Sequence, residues 1–593
     1  MRLLKTVAHQ QVDIHYSIIW ELAGLESKNC EQHEKHHIPI NGKWFDPQNK
    51  ALPLPPHYLI STMTDAFPAA LTGPTSKERK YDRQLRLWAA TGQQALEDSH
   101  VLLVNSDGPL GQYNTGVTGV AGVETLKNLS PSLISGVNFF LEEESLGKSR
   151  AEETCRLLKE LNPDVEGHYY AKRVEELLTD PDFLSQYKLV IISGPIRRST
   201  LVPLIQEAKQ LGIPVLYLHS VGFFSTFSVQ LPAEFPIVET HPDPESTQDL
   251  RLLNPWPELV AAAANLDNLD TLDDHQHGHV PYILLLLHFL EQWKLSHEGN
   301  APSNYKEKTE FREFVRSQTR TSNPEGGEEN FDEAVAAVLK TIAPFSLRSS
   351  TREIFEMNQC QQLSSSSQEF WVIASAIKTF HASHGSADYV SLQNIYKAKA
   401  RQDVEEVTAT VRQLESNLRR QAPAIPDRDI EVFCKNAAHI KVVLGRDIPQ
   451  ISIDSDASTL KTIRNQLSDP DSLIPIFIAT QILDSVVDEI QSSSLEEDRS
   501  VDDDGLWNSH TERILALLTA ADGSAVCQEA RAQIARAIKE LRRAEGGELH
   551  NISSLTGGLV AQEALKVITR QYGPLDNTCV FDGARSKSEM YKL

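Results

Sequence analysis

Three glycines spaced three residues apart form the part of this sequence best suited to phosphate chemistry. Gly116, Gly119 and Gly122 lie in TGVTGVAGVETL, just before a helical pattern. A glycine-rich turn at a helix N-terminus can bind phosphate, because backbone N–H groups and the helix dipole both attract an anion. The spacing departs from G-x-G-x-x-G, and the apolar run His100–Val104 ends well upstream, whereas a phosphate loop follows its strand directly. A helix start with turn glycines is therefore the favoured interpretation.

No other catalytic pattern occurs in the sequence. G-x-S-x-G, H-E-x-x-H and the P-loop are absent, and Gly147, Lys148 and Ser149 lack the upstream glycine that a P-loop requires. Cys155 lies on the apolar face of a helical pattern, and Cys434 is flanked by apolar residues in FCKNAAHIKVV. We expect both thiols to be inert core groups, because an apolar environment disfavours the reactive thiolate.

The overall charge excludes several classes of partner. The 593 residues include 57 Lys and Arg against 81 Asp and Glu, a formal net charge of −24. Nucleic-acid scaffolds and proteins that bind anionic membranes need a positive field, so neither class is expected. Six cysteines, with no two at C-x-x-C spacing, are too few for a disulfide framework and exclude a zinc ribbon. We expect about three to five domains or subdomains in a reducing compartment.

Neither a membrane span nor a secretory signal is expected. The richest apolar run, Tyr282–Leu290, is far shorter than the ~20 residues that cross a bilayer. The N-terminal sequence MRLLKTVAHQQVDIHYS has no continuous apolar core and no small-residue cleavage site. We therefore expect the protein in the cytoplasm and nucleus.

Residues 1–78 differ in composition from the rest of the chain and are predicted to be a disordered N-terminal extension. The segment is rich in His and Pro and lacks helical or strand periodicity. His33, His36 and His37 could bind a metal, but a solvated segment is the favoured interpretation, and no metal site is predicted. The sequence from Met63 onward looks like an ordinary protein N-terminus. We therefore expect the first 62 residues to be a gene-model extension or a dispensable arm.

The pattern after this extension is typical of an α/β domain. The apolar runs His100–Val104, Lys188–Ser193 and Ile213–Leu218 are bounded by turn residues, as expected of parallel strands buried on both faces. Helical patterns at Gly147–Asn162 and Leu201–Leu211 lie between the runs. This alternation of strand and helix predicts a doubly wound parallel sheet.

The domain order follows from where strand patterns stop and return. We predict the first part of the α/β domain in residues 79–240, a mostly helical insertion in 241–540, and the C-terminal part of the same domain in 541–593. Four long helical patterns occupy the insertion: Pro281–Trp293, Phe331–Ile342, Phe370–Phe380 and Ser391–Leu418. A helical pattern at Leu559–Tyr572 and a strand pattern at Asn577–Gly583 follow it.

Several separate blocks resemble the family of enzymes that activate ubiquitin and ubiquitin-like proteins. KYDRQLRLW (Lys80–Trp88), NFFLEEESLGKSRAEE (Asn138–Glu153) and ELHNISSLTGGLVAQEALKVITRQYGPLDNTCVFDG (Glu548–Gly583) are similar to its adenylation domains, most of all to the regulatory, non-catalytic subunits of the heterodimeric neddylation-activating enzyme. The insertion adds DLRLLNPWPEL, NYKEKTEFREFVR, FWVIASAIKTF and DYVSLQNIYKAKARQD. The resemblance spans about residues 79 to 593. It implies a degenerate Rossmann-like adenylation fold of the ThiF type, split by a large, mostly helical insertion.

Departures from the active family members imply that this chain does not bind nucleotide. Active members carry a G-x-G-G-x-G loop, whereas Val120 stands between Gly119 and Gly122 where a glycine is expected. Active members also carry N-L-N-R-Q, and Phe139 stands here at the arginine position. A phenyl ring cannot donate hydrogen bonds to a phosphate. Lys148 matches the phosphate-contacting lysine of the family, and the resemblance implies that it and the two glycines are vestigial.

One residue, Arg83, is implied by the resemblance to take part in catalysis. In paired adenylation domains the arginine of Y-D-R-Q reaches across the interface to the ATP bound by the other half, and Arg83 occupies that position. A guanidinium supplied in trans would stabilise the charge that develops on the α-phosphate as pyrophosphate leaves. Without the resemblance, Arg83 is interpreted as a surface or helix-capping arginine. Arg86 is expected to be a structural salt-bridge neighbour on the same helix face.

The resemblance implies a regulatory subunit without chemistry of its own. Its partner, the catalytic subunit of the neddylation-activating enzyme, would bind ATP and magnesium, adenylate the C-terminus of a ubiquitin-like modifier and take it onto its own cysteine. This chain would complete the heterodimer and bind no cofactor itself. Tyr389, Leu392, Gln393 and Tyr396 form the implied partner-contacting segment, with an ordinary surface helix as the equal alternative.

Two segments are shorter than their family counterparts. Leu129–Asn138 stands in place of a strand and acidic loop, and Phe380–Asp388 in place of a Pro-rich loop. Loss of an interior strand would leave unpaired backbone groups in the sheet, so we expect reduced stability. Mis-spliced or mis-predicted exons would explain both differences.

Three alternative functions remain open. The first is an interaction scaffold of a ubiquitin-like modifier pathway without a role in catalysis, which predicts no effect of Arg83→Ala on adenylation. The second is the equivalent subunit for SUMO or ubiquitin, which the insertion blocks match less well. The third is a nucleotide-binding oxidoreductase, which predicts that a dinucleotide raises the melting temperature of the chain.

Overall fold

The computed structural model describes residues 75–105, 149–162, 164–170, 172–241, 250–264, 269–320, 327–342, 347–384, 393–420, 423–453, 455–492, 504–519 and 525–593. The chain falls into two compact units. Of the described residues, the smaller unit comprises 75–89, 155–162 and 164–168, and the larger one comprises the others.

The smaller unit contains the first helices of the described chain. Helix α1 (Ser76–Lys80) is followed directly by α2 (Asp82–Glu97), and the end of α3 (Arg150–Leu161) belongs to the same unit. Tyr81 separates α1 from α2, and its carbonyl accepts the Leu85 N–H at 2.8 Å. Tyr81 therefore provides the first backbone acceptor of α2.

The larger unit is organised around a six-stranded sheet. The strands described, in chain order, are β1 (Val101–Asn105), β2 (Leu189–Ser193), β3 (Val215–Val221), β4 (Phe224–Gln230), β5 (Glu234–Val238), β6 (Ile440–Leu444), β7 (Thr578–Asp582) and β8 (Lys587–Tyr591). The main sheet has the order β1-β2-β3-β4-β7-β8, and β5 and β6 form a separate antiparallel pair. Every residue of β2 and β3 is buried, as predicted for these two apolar runs.

The main sheet is mixed, so the predicted parallel arrangement is confirmed for β1, β2 and β3 and does not extend further. Only Gly222 and Phe223 separate β3 from β4. A two-residue connection can join only antiparallel strands, whereas parallel strands need a long crossover. Gly222 has a φ of +56°, a conformation that favours glycine and allows this tight turn.

Most of the described helices lie between β1 and the last two strands. The next helices along the described chain are α4 (Val174–Leu177) and α5 (Arg198–Gln210). After β5 come α6 (Pro257–Ala264), α7 (Asp274–Gly278), α8 (Tyr282–Ser296), α9 (Tyr305–Ser317), α10 (Glu329–Thr341), α11 (Ser349–Glu356), α12 (Asn358–Gln361), α13 (Glu369–His384), α14 (Gln393–Leu418) and α15 (Asp427–Lys435). These ten helices have two cores, one around Phe311 and Phe331 and another around Val372 and Val411.

In the described part of the chain between β6 and β7, five more helices follow: α16 (Ala457–Gln466), α17 (Ile474–Ser492), α18 (Asp504–Leu517), α19 (Gln528–Ala544) and α20 (His550–Thr569). The apolar residues of α17 share a core with Trp507, Val580 and Tyr591, so the C-terminal strands pack on this helix. Among the residues described, no helix has the length and apolarity that crossing a membrane requires.

Both faces of the parallel strands are covered, because alternate side chains of a strand point to opposite faces. Val190 and Ile192 of β2 pack in a core with Leu204 of α5. Leu189 and Ile191 of the same strand pack in a core with α20. The sheet joins strands from residues 101–230 with strands from residues 578–591. The domain boundaries given from the sequence, at residues 79–240, 241–540 and 541–593, stay predictions.

Candidate functional site

The segment that carries Arg83 begins with a capping box. The Thr75 Oγ1 accepts the Glu78 N–H at 3.1 Å, and the Glu78 Oε2 accepts the Thr75 N–H at 2.7 Å. Hydrogen bonding of the Glu78 carboxylate to the backbone of Thr75, and then to its side chain, lowers the pKa of Glu78. Two otherwise unsatisfied N–H groups are thereby paired, which fixes the first residue of α1.

Asp164 holds the junction between α1 and α2. Its Oδ2 accepts hydrogen bonds from the Lys80 Nζ at 2.5 Å and from the Tyr81 Oη at 2.9 Å. The Lys80 Nζ also donates to the Asn162 Oδ1 at 3.3 Å. The bond from Lys80, followed by that from Tyr81, lowers the pKa of Asp164, and the bond to Asp164 raises the pKa of Lys80. Both groups therefore stay charged near neutral pH.

Arg83 lies in the first turn of α2, two residues beyond this junction, and its side chain is exposed. Arg86 forms an ion pair with Asp82 at 2.9 Å, one helical turn away. Arg86 was expected to form a structural salt bridge, and its partner in the structure is Asp82. Both side chains of the pair are largely exposed, so the pair adds little to stability. A long exposed guanidinium at this point, as Arg83 presents, can reach an anion held by another protein.

Most of the other residues singled out from the sequence lie outside the described residues. These are Gly116, Gly119, Val120, Gly122, Phe139, Lys148, Tyr389 and Leu392. Gln393 and Tyr396 lie on the first turns of α14, and their side chains are outside what the structure describes. The roles implied for all of these residues stay predictions.

A largely buried polar cluster lies on β3, next to the carboxyl end of β2. The Tyr217 Oη donates to the Asp484 Oδ2 at 3.3 Å, and the His219 Nδ1 lies 3.0 Å from the Asp484 Oδ1. Burial, and then the nearby Asp484, raises the pKa of Tyr217 well above its usual value. The fit is close, because a Cβ on Gly194 would lie 2.5 Å from the Tyr217 Oη.

This cluster matters because doubly wound sheets bind ligands at the carboxyl ends of their strands. Helix α17 supplies Asp484 to this cluster, and the Asp484 side chain is 20% exposed. Sequence reasoning missed the cluster, since Tyr217 and Asp484 are 267 residues apart. One signal was available: Asp484 is the only charged residue in the stretch of α17 from Ile474 to Val487.

The described cysteines do not have the surroundings of a catalytic thiol. Cys155, Cys360, Cys434 and Cys579 are buried, and Cys527 is exposed. Burial, with Asp403 nearby, raises the pKa of Cys434 to about 12, and burial near Glu563 does the same for Cys579. Within the described ranges, no group of three His, Cys, Asp or Glu side chains is arranged to hold a metal ion.

One cavity of about 660 Å³ was not anticipated from the sequence. Glu369, Arg420, Asp429 and Arg570 are its charged lining residues. Burial raises the pKa of Glu369 and of Asp429, and the Arg570 guanidinium lies 4.9 Å from the centre of the Phe235 ring. Its volume suits a small molecule, but acidic and basic groups of equal number line it, so its charge selects no ligand class.

Comparison with known proteins finds relatives that this chain matches over nearly their whole length. The "NEDD8-activating enzyme E1 regulatory subunit" of Xenopus laevis is 31% identical over 554 residues, which cover 87% of this chain and 99% of the relative. The Drosophila melanogaster protein of the same name is 32% identical, covering 88% of this chain and 98% of its own. The regulatory subunit AXR1 of Arabidopsis thaliana is 29% identical, covering 87% and 96%.

Other comparisons add little. No family model matches the chain. A crystal structure of PaaA aligns with 29% of this chain at a TM-score of 0.22 and 15% identity, which carries no argument about fold or function.

Proposed function

This chain belongs to the family of NEDD8-activating enzyme E1 regulatory subunits, and from that membership we propose that it forms a heterodimer with a catalytic subunit that holds the ATP site and the reactive cysteine. One observation carries the proposal: at 31% identity the similarity extends over 99% of a relative with that name. The catalytic subunit adenylates the C-terminus of a ubiquitin-like modifier and takes the modifier onto its cysteine. The present chain completes the enzyme.

The fold proposed for the sheet domain is a degenerate adenylation fold of the ThiF type, split by the helical insertion. Three parallel strands covered by helices on both faces are consistent with it. The pairing of β4 with β7 supports a domain made of residues 79–240 and 541–593, with residues 241–540 inserted. In this proposal residues 1–78 are an extension outside the domain.

Two features support placing the chemistry in the partner. Tyr217, His219 and Asp484 place protein side chains beside the carboxyl end of β2, the end of a parallel strand at which doubly wound sheets bind ligands. Burial raises the pKa of Cys434 and Cys579 to about 12, so neither forms a thiolate near neutral pH. We therefore assign no cofactor to this chain and place ATP and magnesium in the catalytic subunit.

Arg83 is the residue proposed to act across the heterodimer interface. Adenylation places additional negative charge on the α-phosphate and the departing pyrophosphate, and a guanidinium supplied in trans stabilises that charge. The exposed position of Arg83 in the first turn of α2 suits this role. We further propose that Tyr389, Leu392, Gln393 and Tyr396 contact the partner and that the enzyme works in the cytoplasm and nucleus.

The test is co-expression with the catalytic subunit of the same organism, followed by assays of pyrophosphate exchange and thioester formation with each ubiquitin-like modifier. We expect copurification, and thioester formation with the neddylation modifier. Arg83→Ala should lower the adenylation rate roughly a hundredfold or more without preventing copurification. Arg86→Ala, which removes an exposed guanidinium three residues away, is the matched control and should change the rate little.

Each outcome has a separate meaning. Failure to copurify would refute the heterodimer. Copurification with an unchanged rate for Arg83→Ala would refute the trans role and favour an interaction scaffold. Thioester formation with SUMO in place of the neddylation modifier would assign the chain to the other pathway.

A further inference from the structure

We propose that Asp164 and Tyr81 are positioning residues that hold Arg83 in the orientation needed to reach the partner's ATP. The inference rests on the proposed function of Arg83 and concerns what places its guanidinium. Asp164 does not lie in the α1–α2 segment; it follows α3, 83 residues after Tyr81.

The first step of the argument is that Tyr81 controls the start of α2. Its backbone ends α1, and its carbonyl accepts the Leu85 N–H at 2.8 Å. Arg83 lies in the single turn between Tyr81 and Leu85. A rotation of the Tyr81 backbone therefore turns the first residues of α2, and a long side chain enlarges that rotation at its guanidinium.

The second step is that Asp164 fixes Tyr81 from outside the helix. One carboxylate oxygen accepts both the Tyr81 Oη at 2.9 Å and the Lys80 Nζ at 2.5 Å. The Lys80 ammonium also lies 5.3 Å from the centre of the Tyr81 ring. Asp164, Lys80 and Tyr81 thus form a closed set of three contacts, which we call the Asp164 clamp.

The third step is that Asp164 is itself held in place. The Asn162 Oδ1 accepts the Asp164 N–H at 3.3 Å, and the Asn162 carbonyl accepts the Val165 N–H at 3.2 Å. This turn directly follows α3, so the carboxylate is tied to the end of a helix. The clamp connects that helix end to the first turn of α2 within one compact unit.

The clamp is poorly suited to a purely stabilising role. The Lys80 and Asp164 side chains are 45% and 51% exposed, and ion pairs in water at that exposure contribute little to the free energy of folding. The clamp can still control the orientation of the Arg83 guanidinium. A small misplacement of a group that stabilises a transition state strongly lowers the reaction rate. A clamp that adds little stability can therefore still affect catalysis.

The experiment uses the full heterodimer and measures pyrophosphate exchange over a range of ATP concentrations. Asp164→Ala removes both contacts made by the carboxylate, and Tyr81→Phe removes only the one from the Tyr81 hydroxyl. We expect Asp164→Ala to lower kcat/KM for ATP roughly threefold to tenfold and Tyr81→Phe to have a smaller effect, as the loss of one or two hydrogen bonds allows. Glu166→Ala, which removes an exposed carboxylate two residues away, is the matched control and should leave kcat/KM unchanged.

A double-mutant cycle separates positioning from simple destabilisation. If the clamp acts through Arg83, Asp164→Ala has no further effect in a chain that already carries Arg83→Ala. Additive losses in the cycle would overturn the proposal, and so would unchanged kinetics for Asp164→Ala beside a strong effect of Arg83→Ala. If Arg83→Ala itself has no effect, the trans role fails first. Melting temperatures of all variants show whether a rate change follows from unfolding.

Discussion

Cys434 and Cys579 illustrate, at the scale of single residues, how burial removes the reactivity of a side chain. Burial raises the pKa of both thiols to about 12, and the nearby Asp403 and Glu563 add to the effect. A thiol with that pKa is ionised in roughly one molecule in ten thousand at pH 8. The thiolate is the nucleophile, so both residues should be inert in the folded chain. Cys527 is exposed before the first turn of α19.

We therefore predict selective alkylation of the cysteines. Iodoacetamide at pH 8 should modify Cys527 in the folded chain and leave Cys434 and Cys579 unmodified. All three should react once urea unfolds the protein. Peptide mapping by mass spectrometry measures the extent of modification at each site. Reaction of Cys434 in the folded chain as fast as that of Cys527 would contradict the prediction.

At the scale of elements, Ala89 interrupts α2 with an unfavourable backbone conformation. Its φ is 53° and its ψ is 177°, a region in which glycine is common and residues with a Cβ are rare. The helical pattern of the sequence continues through this position and gives no warning of the break. Holding an alanine there costs about 1–3 kcal/mol.

Replacing this alanine should stabilise the protein. Ala89→Gly is expected to raise the free energy of unfolding by about 1 kcal/mol, because glycine adopts the observed conformation without a steric penalty. Ala90→Gly, at the next residue and in helical conformation, should lower it by about 0.5–1 kcal/mol. Chemical denaturation of the two variants measures the difference. A loss of stability in both would refute the strained conformation at Ala89.

The elements also show what sequence patterns can predict. The runs at His100–Val104, Lys188–Ser193 and Ile213–Leu218 became β1, β2 and β3, because continuous apolar runs of that length suit strands buried on both faces. The helix predicted at Ser391–Leu418 is α14, which begins at Gln393.

Strand β4 was missed for a physical reason. Its sequence FSTFSVQ mixes Ser and Thr with apolar residues, yet six of its seven residues are buried. Ser225 bonds Thr556 at 2.7 Å, and Ser228 bonds Thr578 at 2.9 Å. Burial of these hydroxyls is tolerable only because distant residues pair with them, and a sequence does not show such partners.

At the candidate site, too, local sequence patterns predict some residues and give no sign of those that depend on distant contacts. The role of Arg83 was predicted through the resemblance of a local motif and that of Arg86 from its spacing, and the trans role of Arg83 stays a prediction. Asp164 could not be found, since its contacts with Lys80 and Tyr81 depend on the folding of a segment more than eighty residues away. Local patterns predict a residue that belongs to a motif, and they do not predict its tertiary partners.

At the scale of the whole molecule, the last strand is part of the main core. Tyr591 of β8 is 5% exposed, and its Oη accepts the Leu473 N–H at 2.9 Å and lies 3.0 Å from the Ser472 Oγ. These contacts tie β8 to the start of α17. The sheet continues from β8 through β7 and β4 to the parallel strands.

We predict that damage at Tyr591 spreads through the sheet. Tyr591→Ala should lower the free energy of unfolding by about 3 kcal/mol or more and weaken the hydrogen-exchange protection of β4 and β3. Met590→Ala, which removes an adjacent side chain that is 73% exposed, should change it by less than about 0.5 kcal/mol. If Tyr591→Ala fails to fold, Tyr591→Phe tests the hydroxyl alone. Equal stability of the Tyr591 and Met590 variants would contradict the prediction.

The pairing of β4 with β7 also has a consequence during protein synthesis. Ser228 and Thr578 face each other across this pair although they are 350 residues apart. At about 5–20 residues per second, a ribosome completes that distance in roughly 20–70 s, and throughout this time β4 lacks its neighbour on one side. An unpaired strand edge is a template for aggregation. The yield of this subunit in a cell should therefore depend on translation speed and on chaperones that cover the nascent edge.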